Sequence, residues 1–62
     1  MFEKLMKEIE YSKTCVTARE QFFMVYGEIK MAFELNAITK EEYLKLNHEC
    51  VANGINNPKY FD

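Results

Sequence analysis

Asn36-Ala37-Ile38-Thr39-Lys40-Glu41-Glu42 joins two segments of apolar periodicity and sets how they can pack. Thr39 and Glu42 stand at capping-box spacing. The Thr39 hydroxyl accepts from the amide of residue 42, and the Glu42 carboxylate accepts from the amide of Thr39. Glu41 and Glu42 also place negative charge in the first turn, where the helix dipole favours it. Tyr43, Leu44, Leu46, Cys50 and Val51 then supply a wide apolar face. Gly54 stands where a left-handed C′ glycine ends a helix, with Ile55 placed for the accompanying apolar contact. The spacing predicts a helix over 40–53. The short connection before it predicts packing on the preceding helix as an antiparallel αα-hairpin.

That preceding segment spans 16–36. At roughly 100° per residue, Ala18, Phe22, Val25, Tyr26, Ile29 and Phe33 fall on one broad face. Met24, Met31 and Leu35 form a second apolar strip on the other side, and Phe23 stands among the charges of Arg19, Glu20, Lys30 and Glu34. One stripe is enough for a helix to join a two-layer packing. Two stripes predict contact on both sides, with helices of its own chain or with one of its own and one from a partner. Gly27 interrupts the segment at a cost of about 1 kcal/mol relative to Ala, which predicts a close helix–helix approach at that turn, or a kink.

Ahead of it, Phe2, Leu5, Met6 and Ile9 repeat as i, i+3, i+4 and i+7, an amphipathic helix over 2–11. Ser12 to Thr14 then offer side chains that compete for backbone hydrogen bonds, and a break is expected there. The alternative is a helix that runs straight through, since steps of seven from Phe2 reach Ile9, Val16 and Phe23. Behind the last helix, Asn56 to Asp62 lacks helical propensity yet carries Tyr60 and Phe61. These aromatics either fold back to cap the bundle or dock a partner. The expected architecture is a single all-α, three-helix domain over 1–62 with an aromatic C-terminal tail.

Composition bounds what such a domain does. The chain has 62 residues, of which 29% are charged and 48% hydrophobic, with 2 Cys, 2 Gly and 1 Pro. A domain of this size buries only about 60% of the surface its unfolded chain exposes. Two Cys are too few for a disulfide-dense secreted fold. The net charge of −2 argues against a polyelectrolyte binder of nucleic acid. The first residues carry Glu3, Lys4, Lys7 and Glu8, so no signal-peptide pattern is read there. The densest apolar run, 22–26, is far below the roughly 20 residues of a membrane helix. The chain therefore reads as a complete cytoplasmic polypeptide with reduced thiols.

Chemistry-bearing constellations are sparse. Cys15, His48 and Cys50 are the soft or imidazole ligands, and a structural zinc site takes four. His48 and Cys50 are two apart on a helix and diverge. A Cys50–His48 nucleophile has no evident cleft, and the Glu pairs 41/42 and 8/10 read as a cap and a solvated face. No catalytic, metal or cofactor site is expected. The turn 36–39 has the form of a helix-turn-helix, but the second helix would present Glu41 and Glu42 to phosphate.

Protein binding has positive support. Five Phe, four Tyr and four Met are a large apolar load for a chain that cannot enclose them all. Met and aromatic residues are enriched at adaptable interfaces. Phe23, Met24, Met31 and Leu35 are the expected partner interface, with Tyr60 and Phe61 second. The plain alternative is that Met24, Met31 and Leu35 pack on the first helix. The function expected is a non-catalytic interaction module, a small regulator, adaptor or inhibitor, self-associating as a homodimer. The alternatives are a DNA-associated accessory factor and a purely structural oligomerisation hairpin.

The run Phe33-Glu34-Leu35-Asn36-Ala37-Ile38-Thr39-Lys40-Glu41-Glu42-Tyr43-Leu44-Lys45-Leu46 resembles the short bacterial helical hairpins of the SHOCT type, although Asn36-Ala37 departs from their usual Gly. The resemblance implies an oligomerising or tethering hairpin and no activity. In size and style the chain also resembles small accessory proteins of phages and mobile elements of Gram-positive bacteria.

Overall fold

Leu5, Ile9 and Ser12 line the buried stripe of the first helix, α1, Phe2–Ser12, in a computed structural model that describes residues 1–60. Phe2 and Met6 are half-buried against the same core. Ser12 is fully buried, and its hydroxyl donates to the Glu8 carbonyl at 2.8 Å, which removes the cost of burying it. The next residues end the helix by the competition expected of them. The Thr14 amide and hydroxyl both donate to the Tyr11 carbonyl, and the Cys15 amide donates to Ser12. The break lies at 13–17, and Val16 is fully exposed within it.

The second helix, α2, is Ala18–Glu34, shorter at both ends than the predicted 16–36. Its start is Thr17, whose side chain makes no cap bond. Its end is a left-handed residue, Asn36, with φ 59°. The Asn36 amide donates to the Phe33 carbonyl and the Ala37 amide to the Ala32 carbonyl, the two bonds of a Schellman stop. Asparagine does here what glycine commonly does, because its short polar side chain tolerates this conformation. Ala18, Phe22, Val25, Ile29 and Ala32 form the buried face, with Tyr26 and Phe33 half-buried beside it.

The third helix, α3, is Lys40–Asn47. Both halves of the capping box are present: the Glu42 amide donates to Thr39 Oγ1 at 3.1 Å, and the Thr39 amide donates to Glu42 Oε1 at 2.9 Å. Tyr43 stacks on Phe33 with ring centroids 4.4 Å apart.

The expected helix over 40–53 is present, but it changes type beyond Asn47 and does not stop at Gly54. His48–Ile55 is π-helical, and Gly54 lies inside it with no left-handed backbone. The Asn56 amide closes the segment on the Val51 carbonyl at 2.7 Å, an i→i−5 bond. A tertiary contact explains the change. Four residues overshoot one 3.6-residue α-helical turn and fall short of the wider π turn. Mixing the two keeps Leu46, Cys50 and Gly54 in one buried line facing α2. The Cys50 thiol donates to the Phe22 carbonyl at 3.2 Å, and Gly54 lies on the Phe22 ring. The chain then makes a 3₁₀ turn, Pro58–Tyr60, where the sequence suggested no helix. Tyr60 meets Phe22 edge to face at 5.3 Å. Phe61 lies outside the described residues.

No strand occurs among the described residues, and all three helices and the π segment contribute to one core.

Candidate functional site

The core uses one side of α2 and leaves the other open. Met24, Met31 and Leu35 are 60%, 56% and 70% exposed. They do not close against α1. Instead they line a groove of about 550 Å³ between the start of α1 and the outer side of α2. Met1, Lys4 and Leu5 form its α1 wall, Gly27, Glu28 and Ala32 complete the α2 wall, and Ala37 closes the end nearest the α2–α3 loop. The α-helical period explains the grouping, since 24, 27, 28, 31 and 35 are spaced by three or four residues and share a face.

Gly27 is part of the groove surface, and α2 runs through it unbroken. A Cβ added there would meet nothing within 4 Å. No element among the described residues makes the close approach expected at this glycine.

Charge enters the groove in two places. Lys4 projects from α1 and Glu28 from α2. The Glu28 carboxyl is pushed above the usual carboxylate range, first by partial burial and then by hydrogen bonding and charge from Glu8, with Lys4 acting in the opposite sense. Glu8 Oε2 is itself buried. Glu28 of α2 thus meets one ammonium and one carboxylate from α1.

The predicted interface residues do not all converge. Met24, Met31 and Leu35 come together in the groove. Phe23 is half exposed on another sector, under the Arg19 guanidinium at 5.9 Å from its ring centroid. Tyr60 packs on Phe22, away from the groove lining. Lys4 and Glu28 join the groove without being among the expected interface residues. The signal for Glu28 lay in its spacing, between Met24 and Met31 on the same strip. No comparable signal exists for Lys4, which reaches the groove through the packing of α1.

Among the described residues, no three His, Cys, Asp or Glu side chains gather where a metal ion would sit. Both cysteines are thiols, Cys50 on the Phe22 carbonyl and Cys15 on the Tyr11 carbonyl at 3.5 Å. Burial pushes the Cys50 thiol up to about 11, the opposite of an activated nucleophile. No helix among the described residues is long and apolar enough to cross a membrane. Neither a family model, nor a curated protein, nor a solved structure matches the chain significantly.

Proposed function

We propose that this chain is a non-catalytic protein-interaction module, a small regulator, adaptor or inhibitor that binds through the groove between α1 and α2. The observation that carries the reading is the joint exposure of Met24, Met31 and Leu35 on one groove. Exposed apolar surface gathered in one patch is costly to keep and marks an interaction site. Methionines suit it, because an unbranched thioether adapts to the shape of its partner. The resemblance of 33–46 to tethering hairpins points the same way. The reading places the chain in the cytoplasm, where Cys15 and Cys50 stay reduced. A DNA-associated role is the weaker reading, since Glu41 and Glu42 occupy the first turn of α3.

The test compares tagged wild type with Met31→Glu as baits in an extract of the native host. The substitution is on an exposed position of α2, so helicity by circular dichroism is expected to stay near wild type. The wild type is expected to retain a protein that the variant loses. Equal retention by the two baits would place binding elsewhere, and an unfolded variant would show that Met31 belongs to the core.

A further inference from the structure

Gly27 lies on the surface of α2 within the groove, where a side chain would meet nothing within 4 Å. Its φ is not in the left-handed region. Almost any other residue would favour the helix more, so the chain's own fold gives this position no reason to be glycine. What glycine does supply is a bare stretch of helix backbone. Interaxial distance between packed helices is set by the side chains at the contact, and a glycine lets a second helix come close. The occupant implied is therefore a helix that crosses α2 at Gly27.

The surroundings of Gly27 fit one helix in particular. Met24 stands three residues before Gly27, and Met31 three residues after Glu28. An antiparallel copy of α2 centred between Gly27 and Glu28 would set Met24 opposite the partner's Met31, on both sides of the axis. The same operation brings the two Glu28 carboxylates near the axis, so each needs a cation from the facing copy. Lys4 and Glu28 are the two charged residues lining an otherwise apolar groove. Within one copy Glu8 crowds Glu28 with a second carboxylate against the favourable charge of Lys4, and a further cation would satisfy it. A second copy carries one on the same face, its own Lys4.

Taking the groove as the protein-binding surface, we propose that it is covered by a second copy of this chain. The two copies are related by a two-fold axis beside Gly27, α2 lies against α2, and Lys4 of each copy pairs with Glu28 of the other. A two-fold interface uses one patch twice, so it requires a surface that complements itself. Here the methionines meet methionines across a glycine, and cation meets anion.

Sedimentation velocity over micromolar to millimolar chain concentration tests this. The wild type is expected to pass from monomer to dimer. Gly27→Gln is a safe variant for the fold, because it fills open space with a better helix former. It is expected to weaken the dimer by about tenfold or more through loss of close approach. Lys4→Glu and Glu28→Lys each set like charges opposite one another across the axis and are expected to weaken it by about tenfold or more. Mixed one to one, these two charge variants are expected to re-form a dimer, because both pairs are then complementary.

A wild type that stays monomeric throughout overturns the proposal. So does an unchanged dimer in Gly27→Gln, or a mixture no tighter than either charge variant alone. A monomeric wild type that still retains a Met31-dependent partner removes the second copy and leaves the groove reading standing. Loss of both removes both.

Discussion

Phe22 and Gly54 are in contact so close that a Cβ on Gly54 would lie 2.7 Å from both Cδ1 and Cε1 of the Phe22 ring. Phe22 is fully buried and cannot swing aside. This contact holds the π-helical end of the chain on the beginning of α2, and it is joined there by the Cys50 thiol and Tyr60. The two glycines of the chain therefore predict opposite outcomes for the same substitution.

Gly54→Ala overpacks a closed core and is expected to destabilise by about 1–3 kcal/mol. Gly27→Ala adds a methyl to open space in a helix interior and is expected to stabilise the monomer by about 1 kcal/mol. In a domain of this size each kcal/mol moves Tm by about 4–8 °C. Thermal melts at a dilution where the chain is monomeric check both. Two shifts of the same sign would contradict the packing described.

Thr39→Ala removes the hydroxyl that accepts from the Glu42 amide. The loss is expected to be about 1 kcal/mol. Urea unfolding measures it, and an unchanged midpoint would mean that the capping box adds nothing to α3 that water does not supply.

Cys50 makes stability depend on pH in the alkaline range. Its thiol ionises ordinarily near 9.0 and is pushed up to about 11 by burial. Below the ordinary value both folded and unfolded chains hold the proton, and the contribution is fully present. As pH rises through that window the unfolded chain loses the proton while the folded chain keeps it, so stability falls, at up to about 1.4 kcal/mol per pH unit. Cys50→Ala lacks this dependence. The urea midpoints of wild type and variant are expected to draw apart in wild type's disfavour between these pH values, and parallel curves would contradict a buried thiol.

Local signals in the chain were readable and tertiary ones were not. The capping box at Thr39 and Glu42 involves residues three apart and appears as expected. The angular positions of Met24, Met31 and Leu35 correctly set them off the buried face, because helical period alone fixes which side a residue occupies. Gly54 misled, since a glycine near a helix end has the same appearance whether it adopts a left-handed stop or makes room for a ring. Only the position of Phe22, thirty-two residues earlier, separates the two. The actual left-handed stop fell to Asn36, which the apolar periodicity had absorbed into α2. The groove was half legible: its α2 wall follows from spacing, while Lys4 and Met1 arrive with α1 and depend on how the two helices pack.

If a second copy covers the α1–α2 groove, the methionine methyl groups report it in NMR spectra. Met1, Met24 and Met31 line the groove, whereas Met6 lies half-buried on the core. With ¹³C-methyl methionine, the signals of Met24 and Met31 are expected to shift with rising chain concentration, at the same midpoint as dimerisation by sedimentation, while Met6 stays in place. Dimerisation with Met24 and Met31 unmoved, or no concentration dependence of any methyl signal, would contradict the account.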